Sequence, residues 1–407
     1  MSEGNGRPLL FYSAWPLGYH NVEAERKARA FSGAGYDVVY VAGIGARNPS
    51  LASAGKLADR LARKLQAPEA EAPDPAGGPG LRTAALAVLP PRQLRPLGRL
   101  NAAWVERQLR TALPRPERAL AWVRWPTPEL VDALAALAPA AIVYECVDAY
   151  RHSPGITGRW VEVFELAERA LVERAALVVT SNETLAEGFE HGPAPVRVLP
   201  HGVDLMPVTD PPRRPREPGE ITVGLIGTLD MRLDAAVLRH VAERRPRWRL
   251  RLVGPVQDGF DPRAFADLSN VSVEGPIAHA RVPELLADFD VGIMPYRDHP
   301  HDRALTPVKN LELMAAGKPA VARRLPYLER FEDLVYFAQT PEEFECQLDR
   351  AVREDSPARR DLRRAEAERH SWKRRLREMR AIATEALAIG GERSVLKPSR
   401  PATSAAR

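Results

Sequence analysis

The sequence lacks the features that mark disulfide-stabilised, zinc-binding and membrane-spanning proteins. Its 407 residues contain two cysteines, Cys146 and Cys346, which are far apart and do not have the spacing of metal ligands. The first apolar run, Leu9 to Trp15, is too short to span a membrane and has no cleavage-site pattern. We therefore expect a cytoplasmic protein without a disulfide framework or a bound metal.

Charge and composition argue against a nucleic-acid-binding role and indicate a globular chain. Lys and Arg number 58 against 53 Asp and Glu, and the net charge of +5 is modest for this length. No basic stripe with interleaved aromatic residues occurs, so no nucleic-acid partner is predicted. Because ordinary domains have roughly 100–200 residues, a chain of 407 residues is expected to form two domains.

The amino-terminal half shows the pattern of a βαβ unit. Leu9–Tyr12 predicts a buried strand, and Tyr36–Val41 predicts the next one. A helix is expected between them from about Val22, with Asn21 as its N-cap. Two strands joined through a helix lie parallel in one sheet. Further strands are predicted at Ala121–Trp125, Ala141–Val147, Leu177–Thr180 and Val196–Leu199, with a helix over 159–175.

A second α/β pattern follows a proline-rich segment at 207–219, which predicts an interdomain linker. Its strands are expected at Ile221–Ile226, Arg249–Val253, Val271–Val273, Val291–Met294, Ala320–Ala322 and Val335–Ala338. The sequence thus predicts an α/β fold of two Rossmann-like domains whose parallel sheets face each other across a cleft. The expected divisions are an amino-terminal domain (1–206), a carboxyl-terminal domain (220–355), a helix packing back across the junction (356–389) and a disordered tail (390–407).

The stretch 306–319, TPVKNLELMAAGKP, is the most informative part of the sequence. A loop opens a helix there, and the unpaired N–H groups of a helix amino terminus suit a diphosphate. Glu312 lies about one turn into this helix and could accept hydrogen bonds from a ribose diol. A surface helix with a solvated acid is the alternative interpretation of the same pattern.

This stretch resembles the donor-binding signature of retaining glycosyltransferases of the GT-B fold, family-4 type, in the form P-x-K-x-x-E-x-x-A-x-G-K-P. Other stretches agree with that family in order and spacing. ALVVTSN at 176–182 is similar to its AD-x-V-x-x-x-S strand, PHGVD at 200–204 to its P-N-G-V-D turn, and IGTL at 226–229 to its G-R-L turn. Together these matches cover roughly residues 140–330, and they imply the GT-B fold.

In that family the second domain holds a nucleotide diphosphate sugar, which is a co-substrate, so no further cofactor is implied. The family's glutamate contacts the nucleotide ribose, and the loop before it holds phosphate and sugar. The donor contacts implied here are Thr306, Pro307, Val308, Leu311 and Glu312, with the N–H of Val308 on phosphate.

Glycine turns complete the implied donor site. Gly227 and Thr228 form the turn that lets the backbone approach the diphosphate, which glycine permits. Gly18 matches the glycine loop of the family's first domain, although an ordinary tight turn explains it equally simply.

The signature departs from the family's pattern at positions that normally carry charge. A second Glu is usual eight positions before Glu312, where this sequence has Ala304, so the identity of the donor sugar stays open. We expect Arg232 and Lys309 to neutralise the leaving diphosphate, because two cations can stabilise its developing charge without a metal. Capping or solvation of its own helix is the alternative for Arg232.

Acceptor-side candidates follow strands of the first domain. Asp148 ends the stretch YECVD and is the candidate for acceptor positioning or proton acceptance, with a helix cap as the alternative. Weaker candidates for substrate binding are Arg124, at the end of the predicted strand Ala121–Trp125, and His20 and Asn21, after the first strand. The acceptor is expected to be a sugar, a lipid-linked sugar or a small molecule.

Two basic stretches, Lys56–Leu65 and Arg92–Arg110, lie in the first domain. Such a face could rest on anionic lipid at the inner membrane surface, although a solvated Arg-rich helix is the simpler interpretation. The expected reaction is transfer of a glycosyl group from a nucleotide diphosphate sugar to an acceptor hydroxyl, with retention implied by the resemblance. A nucleotide-sugar epimerase and a non-catalytic binding protein remain alternatives; a dehydrogenase is disfavoured because no Gly-x-Gly-x-x-Gly follows a strand.

Overall fold

The computed structural model describes residues 6–13, 15, 17, 22–43, 80–89, 95–150, 158–206, 219–257, 259–297 and 304–395. The chain forms two compact units. The first consists of Met1–Leu199 and Leu376–Arg407, and the second of Pro200–Arg375. In the part of the chain that the structure describes, no helix is both long and apolar enough to cross a membrane.

The first unit contains a seven-stranded sheet in the order β3-β2-β1-β4-β5-β6-β7, and every neighbouring pair is parallel. Its strands are β1 (Pro8–Ser13), β2 (Asp37–Ala42), β3 (Leu81–Ala85), β4 (Leu120–Val123), β5 (Ala141–Cys146), β6 (Leu177–Thr180) and β7 (Val196–Val198). The central strands are buried along their length and mostly apolar, as parallel strands with helices on both faces must be; the charged side chain of Glu145 in β5 is an exception.

The described helices of the first unit are α1 (Val22–Gly33), α2 (Arg95–Ala112), α3 (Pro128–Leu137), α4 (Arg159–Val172) and α5 (Glu183–Glu187). Short apolar faces of these helices close the core over the sheet. Asn182 caps α5 by accepting a hydrogen bond from the N–H of Leu185 at 2.8 Å. Phe31 of α1 packs against Trp122 of β4, with ring centroids 5.2 Å apart.

The second unit contains a six-stranded sheet in the order β10-β9-β8-β11-β12-β13, again with every pair parallel. Its strands are β8 (Ile221–Ile226), β9 (Trp248–Val253), β10 (Val271–Glu274), β11 (Val291–Met294), β12 (Ala320–Ala322) and β13 (Val335–Phe337). In each sheet the strand order reverses beside the first strand, between β1 and β4 and between β8 and β11. Open α/β sheets bind ligands at the carboxyl ends of the strands at this reversal.

The helices of the second unit cover both faces of its sheet. They are α6 (Ala235–Arg244), α7 (Val282–Asp288), α8 (Val308–Ala315), α9 (Pro326–Glu329), α10 (Pro341–Arg353) and α11 (Pro357–Arg369), followed by α12 (Trp372–Val395). Asp234 caps α6 by accepting from the N–H of Ala236, and Thr340 and Glu343 form a capping box at α10. The prediction of two α/β units with parallel sheets is thus confirmed.

The carboxyl-terminal segment differs from its prediction. The single helix expected over 356–389 is two helices, α11 and α12, because Val203 bonds to both sides of the break: its N–H donates to the carbonyl of His370, and its carbonyl accepts from Trp372. From Leu376 onward, α12 belongs to the first unit, where Met379 and Ala383 are fully buried in the core.

The expected disorder from residue 390 is wrong for the first residues of that tail. The helix α12 continues to Val395, and Gly390 lies so close to Ala140 that an added Cβ would be 2.1 Å from its carbonyl oxygen. Residues 396–407 lie outside the described residues, as do 207–218 of the expected linker and the basic stretch Lys56–Leu65. The second basic stretch is described from Arg95, where α2 begins.

Candidate functional site

A cavity of about 190 Å³ lies in the second unit at the reversal between β8 and β11. The carboxyl ends of both strands line it, and the loop that leads into α8 closes another side. Its lining includes Ile226, Gly227, Thr228, Arg232, Met294, Tyr296, Thr306, Pro307, Val308 and Lys309. We call it the donor cavity. Its position is the one at which open α/β sheets bind ligands.

The glycine turn at Gly227 forms one wall of the donor cavity, and a second turn at Gly254 packs against it from behind. Gly227 has a φ of 144° and Gly254 a φ of 151°, a region that other residues rarely adopt. A Cβ on Gly254 would lie 1.8 Å from the carbonyl oxygen of Gly227, so the second turn must be glycine for the first to pack against it. A Cβ on Gly227 would lie 3.8 Å from the Cγ of Lys309. The Gly227 backbone is therefore next to the Lys309 side chain.

The amino terminus of α8 forms the opposite wall. Pro307 precedes the helix in an extended conformation, and Val308 is the first helical residue. Among the described residues, no acceptor pairs with the N–H of Val308 or of Lys309, whereas the N–H of Asn310 donates to the carbonyl of Pro307 at 3.1 Å. Unpaired amide donors and the partial positive charge of a helix amino terminus suit an anion, above all a phosphate.

Two ion pairs border the donor cavity. The Nζ of Lys309 donates to both carboxylate oxygens of Glu312, at 3.0 and 3.1 Å. Glu312 is 8% exposed and Lys309 31%. Arg232 binds Asp230 through its Nε and Nη2, with a shortest distance of 2.6 Å, and is 28% exposed. Both cations are thus held near the cavity by a carboxylate of the same loop or helix.

The structure brings most of the sequence-predicted donor residues together. Gly227, Thr228, Arg232, Thr306, Pro307, Val308 and Lys309 all line the donor cavity. Glu312 adjoins it through its bond to Lys309. Leu311 has a different position, because its side chain is fully buried in the apolar core between α8 and α11. The sequence-based reasoning missed Tyr296, which follows β11 and lines the cavity, and Gly254, which follows β9 and packs against the Gly227 turn.

Arg124 lies in a buried ion-pair network of the first unit. It is 3% exposed; its Nη2 donates to Glu23 at 2.9 Å, and its Nε lies 3.1 Å from Glu145. Lys27 pairs with the same two carboxylates, and Trp122 donates its indole N–H to Glu145 at 2.6 Å. Burial raises the pKa of Glu145, but the two cations outweigh it and hold that pKa below its usual range. Arg124 is therefore a structural charge in the described structure.

Asp148 follows β5 in the first unit, with its carboxylate in a turn. Its Oδ1 accepts from the N–H of Ala149 at 2.8 Å, and its carbonyl accepts from the N–H of Tyr150 at 2.8 Å. The thiol of Cys146 also faces that carbonyl, at 3.3 Å. The remaining candidates of the first domain, Gly18, His20 and Asn21, lie outside the described residues. Among the residues that are described, no group of three or more His, Cys, Asp or Glu side chains could hold a metal.

Comparisons with known proteins agree with the sequence signature. A family model described as "Glycosyl transferase-like" matches residues 232–381, which include the α8 wall of the donor cavity. TuaH of Bacillus subtilis, named as a teichuronic acid biosynthesis glycosyltransferase, is 28% identical over 243 residues. That match covers 55% of this chain and 60% of TuaH.

Solved structures resemble the whole chain. HepE of Anabaena in complex with UDP has a TM-score of 0.63 at 14% identity, covering 93% of this chain and 99% of HepE. Its complex with UDP-glucose has a TM-score of 0.59 at 15% identity, covering 96% and 100%.

A UDP-forming trehalose-phosphate synthase of Burkholderia xenovorans has a TM-score of 0.56 at 14% identity, covering 96% of this chain and 98% of the synthase. At these identities the structural likeness establishes the fold. The family model, the curated relative and the fold agree: the chain has the GT-B fold, and residues 232–381 are similar to a glycosyl transferase-like family.

Proposed function

We propose that this protein transfers a glycosyl group from a nucleotide diphosphate sugar to an acceptor hydroxyl, with retained configuration. The observation that carries the proposal is the helix mouth of α8, where the N–H groups of Val308 and Lys309 have no described partner beside the Gly227 turn. A diphosphate satisfies both amides and the helix dipole at once.

The proposed diphosphate site combines amides with two cations. The Gly227 turn brings backbone to one side of the donor cavity, and Arg232 and Lys309 stand at its border. When the bond between the sugar and the diphosphate breaks, negative charge develops on the leaving oxygen. Positioned cations stabilise that charge in the transition state, which is where such groups contribute most to rate.

In this proposal, donor binding releases Lys309 from Glu312, so that Lys309 can stabilise the charge on the diphosphate. In the structure both oxygens of Glu312 accept from Lys309. A ribose diol that donates its two hydroxyls to Glu312 replaces those hydrogen bonds and leaves Lys309 for the diphosphate. The cost of the exchange is small, because Lys309 is partly exposed and the ribose hydroxyls replace its hydrogen bonds to the buried Glu312 carboxylate.

In the proposed reaction one bond breaks, one bond forms and one proton is transferred. The bond from the anomeric carbon to the diphosphate oxygen breaks with its electron pair, and the acceptor oxygen forms the new bond to that carbon. The acceptor hydroxyl loses its proton, and we propose that the carboxylate of Asp148 positions that hydroxyl and accepts the proton. Retention of configuration is carried over from the family resemblance.

For the donor we propose a UDP-sugar, and for the acceptor a sugar hydroxyl of a glycan or glycolipid. The donor proposal is supported by HepE, which was solved with UDP and with UDP-glucose. The acceptor proposal is supported by the name of TuaH, which refers to teichuronic acid biosynthesis.

A thermal-shift panel with UDP, UDP-glucose, GDP-mannose and ADP-glucose tests the donor. A ligand present at one hundred times its dissociation constant adds about 2.7 kcal/mol of stability, so the correct donor gives a clear rise in Tm. UDP release from UDP-glucose, with and without a mixture of sugar acceptors, then separates transfer from epimerisation. No shift with any member of the panel would contradict the proposal.

The roles of the two cations are tested with the double variant Arg232→Ala/Lys309→Ala. We expect turnover to fall at least about a hundredfold, as for the loss of an oxyanion-stabilising group. The control is Arg263→Ala/Arg281→Ala, which removes two exposed arginines of the same unit. Turnover of the Arg232/Lys309 variant within about threefold of this control, well below the hundredfold loss expected of such groups, would reject the assigned roles.

A further inference from the structure

A second and larger cavity, of about 510 Å³, lies at the free edge of the sheet in the second unit. We call it the edge cavity; β13 forms its floor and α10 and α11 contribute its rim, through Arg350 and Arg359. Strand β13 is the last in its sheet and pairs only with β12, whereas the donor cavity is lined by β8 and β11. The volume falls within the range of about 300–1,000 Å³ that ligand pockets occupy.

Two guanidinium groups in the edge cavity have unused donors. Arg324 stacks over the ring of Phe337 at 4.4 Å, and Arg359 over that of Tyr336 at 5.8 Å. Their nearest carboxylates, Glu329 and Glu354, are 3.8 and 4.0 Å away, beyond hydrogen-bond distance. No described residue accepts a hydrogen bond from either guanidinium. Stacking fixes the plane of each group and leaves its N–H edge for a carboxylate or a phosphate.

The same cavity also contains acceptors that lack donors. The Oε1 of Gln347 is buried and has no hydrogen-bond partner among the described residues. The carboxylates of Glu332 and Asp333 line the cavity just before β13 and pair with no described cation. A buried acceptor without a donor is unfavourable, so a ligand with hydroxyl or N–H groups gains by filling this place.

We propose that the edge cavity binds an acidic sugar, that is, a sugar carrying a carboxylate or a phosphate. The anionic group binds Arg324 and Arg359, and the sugar hydroxyls donate to Gln347 and to the acids before β13. Neither a bare anion nor a neutral sugar satisfies both sets of groups. This is a second carbohydrate site on the carboxyl-terminal unit, and it does not depend on the donor cavity or on the proposed transfer.

Isothermal titration of the full chain tests the ligand class with four probes. These are glucuronate, glucose 6-phosphate, neutral glucose and inorganic phosphate. We expect at least one acidic sugar to bind at least about tenfold more tightly than glucose and than inorganic phosphate, since each matched ionic group or hydroxyl adds to affinity. The two acidic sugars distinguish a carboxylate ligand from a phosphate ligand. If neither binds in the millimolar range, or if neither exceeds inorganic phosphate, the proposal is overturned.

Substitutions in and outside the edge cavity test whether the acidic sugar binds there. Arg324→Ala/Arg359→Ala should weaken the acidic sugar at least about tenfold, the effect of losing charge-assisted hydrogen bonds. Gln347→Leu should weaken it about three- to tenfold and leave inorganic phosphate unchanged, because it removes only an acceptor for hydroxyls. Arg353→Ala/Arg281→Ala, which removes two exposed arginines outside the cavity, should bind as the wild type does.

The donor cavity supplies the remaining control. Lys309→Ala should leave the affinity for the acidic sugar unchanged. Loss of binding in Lys309→Ala, or unchanged affinity in Arg324→Ala/Arg359→Ala, would assign the ligand to another site and overturn the proposal. Light scattering tests whether the cavity instead joins two copies of the chain through β13. A dimer that Arg324→Ala/Arg359→Ala abolishes would also overturn the proposal.

Discussion

Charged side chains near the carboxyl ends of the strands are buried in the first unit and partly exposed in the second. In the first, Glu145 and Arg124 are 1% and 3% exposed, and each bonds to at least two partners of opposite charge or to an indole N–H. In the second, Lys309 and Arg232 are 31% and 28% exposed, and they pair with Glu312 and Asp230, respectively.

This difference in burial distinguishes ion pairs that stabilise the fold from ion pairs that a ligand can replace. Removing one member of a buried ion pair leaves an uncompensated charge at low dielectric, so Glu145 and Arg124 are committed to each other. A partly exposed pair is worth little and can be exchanged for a ligand at little cost. We infer that the charges of the first unit fix the ends of its strands, whereas those of the second are available to a diphosphate.

The largest effect is expected from Glu145→Ala, measured as the free energy of unfolding in urea. The substitution leaves Lys27 and Arg124 buried with half of their counter-charge, and we expect a loss of about 3–5 kcal/mol. The matched control is Glu385→Ala in the same unit, where an exposed pair with Arg197 is lost. That control should cost at most about 1 kcal/mol. Equal losses in the two variants would remove the distinction between buried and exposed pairs.

Lys309→Ala should show the opposite behaviour in the second unit. We expect its free energy of unfolding to fall by about 1–3 kcal/mol, less than for Glu145→Ala, because the buried Glu312 carboxylate loses its donor while Lys309 itself is partly exposed. The affinity for UDP-glucose should fall at least about tenfold through loss of a charge-assisted contact to phosphate. Urea unfolding and isothermal titration measure the two quantities. A large loss of stability with unchanged affinity would make Lys309 a structural charge like Arg124.

Lowering the pH should remove the stability that the Glu145 carboxylate contributes to the first unit. The folded-state pKa of Glu145 is lowered because Lys27 and Arg124 outweigh the effect of burial. Its contribution to stability is therefore complete above the unfolded-state pKa, about 4.3, and is lost as the pH falls through the lower folded-state value. We expect the stability difference between wild type and Glu145→Gln to shrink below about pH 4.3. A difference that stays constant down to about pH 3, well below that unfolded-state value, would contradict the ion-pair account.

The second unit should respond to acid at a higher pH, through His370 at the break between α11 and α12. Burial and then Arg375 lower the pKa of His370, against the opposing effect of Glu366; Arg375 donates to its Nδ1 at 2.9 Å. The unfolded chain takes up this proton near about pH 6.5, and the folded chain only at lower pH, so stability falls as the pH drops below that value. His370→Gln should reduce the slope of unfolding free energy against pH between about 7 and 5. An unchanged slope would show that His370 takes up its proton equally in both states.

Strands were predictable where their sequence alone requires burial. Leu177–Thr180, Ile221–Ile226, Val291–Met294 and Ala320–Ala322 are apolar runs, and the structure has strands with these same bounds. Strand β3, Leu81–Ala85, was missed because LRTAA has no apolar run and becomes a strand by pairing with β2. The break at His370 was missed for a similar reason, since the bonds that cause it come from Val203.

The candidate site was predictable where a motif is local. The loop and helix at 306–312 form one wall of the donor cavity, and the role that we propose for them rests on helix-terminus chemistry and the resemblance. Gly254 and Tyr296 require the strand order, which places the ends of β9 and β11 beside β8. The burial of Arg124 depends on Glu23 and Lys27, about one hundred residues earlier in the chain, and no local pattern indicates it.

The most direct test of the donor site removes one amide hydrogen. Val308 is the first residue of α8, where proline is tolerated, and Pro307 before it is already extended. Val308→Pro should therefore keep the fold, checked by circular dichroism and Tm, and Val308→Ala is the control that keeps the N–H. In titrations with UDP-glucose we expect Val308→Pro to bind about ten- to one-hundredfold more weakly than Val308→Ala, the effect of one hydrogen bond to a charged group. Equal affinities in the two variants would contradict the claim that the mouth of α8 holds the diphosphate.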